Sequence, residues 1–242
     1  MIDGTVGDVR VRFRVGEDGA ESAMQWREAS MELLFTARPW RTFRWYHGQR
    51  HYSGFYWACT EQDLVIYESR LELARLRLAD FDRSVRRIVA QPFLLEAEIE
   101  GRLRRHVPDY LLLHDGVPVV VDVKPAVRLS KPEVASTFAW TRAVVESRGW
   151  RFEVATEPTS AELENVRFLA GYRRDAVFDG DLLEELRSLD LTDRSLAEAF
   201  ASLPGHPARR VRAAVLHLLW KQHWTVDLTE PLSGTTVLRS RR

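Results

Sequence analysis

Cysteine is almost absent from this 242-residue chain, with Cys59 the only one. One thiol excludes a disulfide framework and a cysteine-based zinc cluster. Long apolar runs are missing as well, since no stretch approaches the ~20 residues that cross a bilayer. The opening MIDGTVGDVRVRFRVGEDG is charged where a signal peptide has its apolar core. These absences lead us to expect a cytoplasmic protein with no membrane partner. Net charge is absent too, with 35 basic residues against 35 acidic ones. No overall basic field therefore steers polyanions to the chain. Lysine is the last scarcity. Only Lys124, Lys131 and Lys221 occur, which leaves 32 arginines among the cationic residues. Where Arg is the default cation, a Lys offers a compact ammonium whose charge and pKa respond to its neighbours.

At 45% hydrophobic and 10% aromatic, the composition suits one large globular domain or two small ones. The most informative stretch is HVPDYLLLHDGVPVVVDVKP, His106 to Pro125. Asp115-Gly116 between apolar runs favours a two-residue type I′ hairpin, which fixes the strand register. With those two residues as the loop, His114 faces Val117 and Asp109 falls opposite Asp122. Residues directly opposite share a face of a sheet, and Lys124, two along from Asp122, shares it too. Opposed like charges are unfavourable unless a cation lies between them, and a metal ion is the simplest candidate.

Along the chain, the first two dozen residues read as a polar leader with an edge strand at VRVRFRV. RTFRWYHGQRHYSGFYWA suggests strands broken at His47-Gly48 and Ser53-Gly54. YESRLELARLRLADFD has helical spacing, with Leu71, Leu76 and Ala79 on one stripe. SVRRIVAQPFLLEAEIEG reads as a strand in which Pro92 permits only an edge position or a bulge. After the hairpin, KPEVASTFAWTRAVVESRG predicts a helix ending at Gly149. WRFEVATE predicts a strand, and 159–174 a helix. The order is helix, three strands, helix, strand. Further on, SLAEAFASL and ARRVRAAVLHLLWKQH read as two helices separated by Pro204-Gly205-His206-Pro207. WTVDL and TTVLRS follow as a short hairpin, which completes a winged-helix pattern. We therefore expect an aromatic-rich extension over 1–60, an α/β core over 61–175 and a winged-helix-like domain over 176–242.

The ligand that would complete a metal site should come from the helix before the strands. Glu68 and Glu72 lie one turn apart on one face of it. Glu72, Asp109, Asp122 and the backbone carbonyl of Val123 offer the oxygen donors that hard cations such as Mg²⁺ or Mn²⁺ prefer. Lys124 would stand beside a metal-bound water, placed to orient it or assist its deprotonation. The plainer reading is surface acids on a helix plus an Asp122–Lys124 ion pair. It suits Glu68, whereas the register argument favours the metal site for Asp109, Asp122 and Lys124.

P-D, a strand-turn-strand, then D-V-K resembles the PD-(D/E)xK nuclease signature. Around it, S-R-L-E at 69–72, DFDRSVRRIVAQPF, HVPDYLLL and VDVKP stand in the order seen in TnsA-like endonuclease subunits of heteromeric transposases. YHGQRHYSGFYW and ENVRFLAGYRR are also similar to members of that group, so the resemblance spans roughly 41–174. It implies a restriction-endonuclease-like core: helix, three-stranded antiparallel meander, helix, strand. The family's helix acid matches Glu72, its P-D aspartate Asp109 and its lysine Lys124. Some relatives carry Gln where Asp122 stands, and Asp82-Arg83 lacks the Pro that many have after D-F-D.

The resemblance implies metal-dependent hydrolysis of DNA at the 5′ ends of a mobile element. The implied partners are an RNase H-like transposase acting on the 3′ ends and an ATPase regulator. Two other classes remain open: a stand-alone restriction or phage-defence nuclease, and a non-catalytic DNA-binding adaptor on an idle nuclease fold. Arg209, Arg210 and Arg212 could contact phosphates, or the tail could dock a partner. His106 reads as a strand-edge histidine bonded to backbone, and the aromatics around Trp45 and Trp57 as mostly core, with base stacking the alternative. His217 and His223 have no convincing metal partners.

Overall fold

A computed structural model describes residues 8–16, 18–41, 52–99 and 101–240. The expectations for His47-Gly48 and Trp45 lie outside these. The chain divides into two compact units, Met1–Glu157 and Pro158–Arg242.

The first unit begins with β1 (Val9–Val15) and β2 (Ala20–Gln25), an antiparallel pair. Alternation in VRVRFRV buries Val11 and Phe13 and turns Arg10, Arg12 and Arg14 the other way. A short helix α1 (Met31–Leu34) follows, then β3 (Gly54–Ala58) paired with β4 (Asp63–Tyr67). Helix α2 (Arg70–Phe81) opens at Ser69, whose hydroxyl accepts the Glu72 N–H, and buries Leu76 and Ala79 as the spacing predicts.

Pro92 divides what reads as one strand into two, β5 (Val85–Ala90) and β6 (Leu94–Ile99), which enter different sheets. Proline cannot donate to a ladder, and Gln91 beside it turns the chain with φ 46°. Strand β7 (Arg102–His106) pairs with β6. One sheet runs β2-β1-β6-β7, so β1 is an interior strand rather than an edge. The expected 1–60 extension therefore supplies two strands to a sheet it shares with β6 and β7.

The other sheet holds β8 (Tyr110–His114), β9 (Val117–Val123) and β10 (Arg151–Ala155) in the order β10-β9-β8-β5. The β8–β9 hairpin has the predicted register, with His114 opposite Val117 and Tyr110 opposite Val121. Its loop carries positive φ at both Asp115 (48°) and Gly116 (77°), the type I′ signature. The meander β5-β8-β9 is thus present, interrupted in sequence by the β6–β7 excursion. Helix α3 (Pro132–Glu146) ends before Gly149 at φ 74°, and β10 then joins β9 in parallel.

Two apolar clusters lie against this second sheet. Tyr110, Leu112, Val119 and Val121 pack with α2, β3 and β4. Leu111 and Val120 pack with α3 and the first sheet. A sheet covered on both faces requires apolar side chains at successive positions, which is why VPVVVDV is nearly continuous.

The second unit contains α4 (Ser160–Leu169), α5 (Gly180–Ser188), α6 (Leu196–Phe200) and α7 (Ala208–Trp220). It ends with β11 (Trp224–Thr225) and β12 (Arg239–Ser240). The sequence suggests a boundary near 175, but α4 belongs with the second unit. The Asn165 side chain on α4 bonds the backbone of Leu228, Glu230 and Leu232. The expected tail hairpin is reduced to two residue pairs, Trp224 with Ser240 and Thr225 with Arg239. Strand-like bonding also joins 193–196 to 236–238. Among the described residues, no helix is long and apolar enough to cross a membrane.

Candidate active site

The acids and the lysine singled out in the sequence gather at one end of the β10-β9-β8-β5 sheet. Asp109 stands just before β8, where the paired register ends at Tyr110 opposite Val121. Its N–H donates to the Val121 carbonyl at 3.1 Å, so the ladder does not extend to an Asp109–Asp122 pair. Asp122, on β9, is 2% exposed. Lys124 follows β9, with its backbone N–H donating to the Ala155 carbonyl at 2.9 Å. Glu72 arrives from α2, and Tyr110 ties that helix to the sheet by donating its hydroxyl to the Glu72 carbonyl at 3.3 Å.

Each carboxylate already has internal partners. Glu72 accepts the Ser69 hydroxyl at 2.9 Å and the Glu68 N–H at 2.7 Å. Asp109 Oδ2 accepts the Val123 N–H at 2.6 Å. Both oxygens of Asp122 lie 2.8–2.9 Å from His106 Nε2. Accordingly, among the described residues no three His, Cys, Asp or Glu side chains are drawn together as a ready-made metal cluster.

The electrostatics nevertheless concentrate here. Burial pushes the Asp109 carboxyl up to about 8, the charges of Glu72 and Asp122 push the same way, and the Val123 N–H and Lys124 oppose them. Glu72 is also raised, first by burial and further by Glu68, against its Glu68 N–H and Ser69 bonds and the charge of Lys124. Lys124 thus acts on both Glu72 and Asp109. Burial and the neighbouring carboxylates favour the protonated form of Asp109, while Asp122 is hydrogen-bonded by His106. Perturbed titrations of this kind concentrate at functional sites.

His106 is the residue that the sequence reading missed. It bonds a buried carboxylate instead of backbone, and its ring meets Trp140 edge-on at 6.2 Å between centroids. Alternation places it on the inner face of β7, opposite Leu95. Nothing local in RLRRH identifies Asp122 as its partner.

Arg209, Arg210 and Arg212 lie apart from these residues in sequence, at the start of α7, and all three are exposed. Arg212 lies over the Phe200 ring at 5.1 Å. From Ala214 to Trp220 every residue of α7 is buried, so only its first turns present a polar face. His217 bonds the Tyr172 carbonyl at 2.7 Å and stacks on Phe178.

Residues 82–157 match the family described as TnsA-like endonuclease N terminal. Over this segment the chain is similar to a TnsA-like endonuclease domain. Comparison with curated proteins gives no match. The TnsA-like segment contains His106, Asp109, Asp122 and Lys124, and it stops at Glu157, where the first compact unit also stops. Glu72 lies upstream of it, on α2. Its assignment to the site rests on the geometry above and on the charge it exerts at Asp109.

Proposed function

We propose that the chain is the DNA endonuclease subunit of a heteromeric transposase, hydrolysing phosphodiesters at the 5′ ends of its element. The observation that carries this reading is the convergence of Glu72, Asp109, Asp122 and Lys124 at one sheet end, within or beside a TnsA-like segment. The second unit's order, helix α5, the strand-like 193–196, α6, α7 and two short strands, supports a winged-helix reading of the tail.

The donor set fits a hard divalent cation, Mg²⁺ or Mn²⁺: three carboxylates and a carbonyl, with no sulfur or imidazole required. Glu72, Asp109, Asp122 and the Val123 carbonyl would hold it, once the Ser69, Val123 N–H and His106 bonds are shared or released. When bound, such an ion supplies Lewis-acid stabilisation of the phosphate and acidifies a coordinated water. The chain's own residues do the rest. Lys124 carries its ammonium beside the acids, where it orients the attacking water or neutralises charge growing on the phosphate. His106 fixes the orientation of Asp122. Tyr110 and the Ser69 cap fix Glu72.

A nicking assay on element-end DNA, with and without the cognate transposase, tests the assignment. We expect strand cleavage at the 5′ ends that requires millimolar Mg²⁺ or Mn²⁺ and the transposase. Robust double-strand cutting by the chain alone would instead favour a stand-alone defence nuclease. Metal-dependent thermal stabilisation checks the site separately, since a ligand bound only by the native state raises Tm. That rise should vanish when Asp109 and Asp122 are both replaced by Asn.

A further inference from the structure

Strand β7 ends at His106, which touches Asp122, and it begins at Arg102 with four exposed residues in succession. It is the last strand of the β2-β1-β6-β7 sheet, so one of its edges has no strand beside it among the described residues. The pairing sorts its side chains by face. Arg102 lies opposite Ile99, Arg104 opposite Ala97 and His106 opposite Leu95, all on the face that carries buried Leu95 and Ala97. Leu103 and Arg105 lie on the other face, where Arg105 is neutralised by Glu96 at 2.7 Å. Arg102 and Arg104 have no carboxylate within 4.0 Å among the described residues. They are two exposed cations, without an ion-pair partner among the described residues, in line with the histidine that reaches the acid cluster. Residues on one face of an antiparallel strand recur every ~6.8 Å, a spacing on the scale of successive backbone phosphates.

We propose that the Arg102–Arg104 row on β7 binds the phosphate backbone of the DNA strand that enters the active site, guiding it past His106 toward Asp109 and Asp122. The occupant follows from charge complementarity: a linear polyanion fits a row of cations that ends beside carboxylates and a lysine. Arg offers forked donors suited to phosphate oxygens. The identity of the ligand as DNA rests on the endonuclease reading, but the test does not depend on cleavage.

The experiment measures duplex binding by the full chain in EDTA, as a function of salt starting from about 50 mM, where phosphate contacts are strongest. R102Q/R104Q should lower the slope of log K against log salt by roughly 2, since each lost phosphate contact removes about 0.9. Affinity at the lowest salt should fall at least tenfold. R102K/R104K should restore both, because a phosphate contact needs the charge more than the fork. A second charge-matched pair, R27Q/R86Q, removes two other exposed arginines and should leave the slope within 0.5 of wild type.

Arginines on a strand edge also serve to prevent edge-to-edge association. If that were their only role, R102Q/R104Q would keep the wild-type slope and self-associate, which overturns the proposal. An equal loss in R27Q/R86Q, or no salt-dependent binding by the wild type, overturns it as well. Failure of the endonuclease reading has a different signature: normal binding, with no nicking of element-end DNA by wild type when Mg²⁺ or Mn²⁺ and the transposase are both present.

Discussion

Asp109 carries the largest electrostatic burden of the candidate site, and its sign can be worked through. Its native carboxyl titrates near 8, against an ordinary value of 3.8, because of burial and then the charges of Glu72 and Asp122. Between these values the native state holds a proton that the unfolded chain has lost. The stabilisation this provides is complete below pH ~4 and is lost as pH rises through about 8. In metal-free protein, Asp109→Asn should therefore flatten the fall in Tm between pH 6 and 9 and make the variant the more stable at the alkaline end. Each kcal/mol regained corresponds to roughly 2–4 °C. Thermal melts in EDTA across that range check it, and parallel curves for the two proteins would contradict the assigned proton. Lys124 permits the complementary separation of binding from chemistry. Lys124→Ala should keep the metal-dependent rise in Tm and lose cleavage by about 10² or more, the scale of a positioned acid–base group. Cleavage equal to wild type would remove Lys124 from the reaction.

At the scale of elements, the Ser69 hydroxyl does two things at once: it caps α2 through the Glu72 N–H and holds the Glu72 carboxylate. Ser69→Ala should cost about 1 kcal/mol from the lost cap, a drop of roughly 2–4 °C. A Tm unchanged within error would show that the cap is dispensable. The same scale shows what single-sequence patterns convey. The β8–β9 hairpin was legible because Asp115-Gly116 has a local conformational requirement that fixes every pair behind it. Helix α2 was legible from its spacing and its Ser cap. The split at Pro92 was not, because an apolar run looks alike whether it continues or crosses to another sheet. Strand β1 looked like an edge because its arginines alternate with apolar residues, a pattern that an interior strand with one polar face shares. His106 belongs to the same class, since its partner lies 16 residues away on another sheet. Register could bring Asp109 to the neighbourhood of Asp122, although the paired ladder ends at Tyr110 and Val121. Only tertiary packing could bring a histidine to hydrogen-bond Asp122.

For the whole molecule, zero net charge and arginines in small clusters argue for weak, salt-sensitive DNA binding by the isolated chain. A nuclease that must not cut its host's chromosome gains from needing a second protein to concentrate it at element ends. The division after Glu157 suggests where that dependence can be separated from the chemistry. Residues 1–157 hold both four-stranded sheets, the two apolar clusters described above and all four candidate site residues. They should fold cooperatively by themselves, and their melt should keep the metal-dependent rise. A cut at 194, by contrast, leaves α4 and α5 without α7 and strips Asn165 of its three backbone partners. That fragment should expose apolar surface and aggregate, although it is longer. If the second unit conveys the transposase signal, the 1–157 fragment should retain metal binding and lose transposase-stimulated nicking. Nicking stimulated to the full-length level would place the signal within the first unit instead. In that case the arginines of α7 would have no part in activation, and a separate binding measurement on R209Q/R210Q would be expected to match wild type.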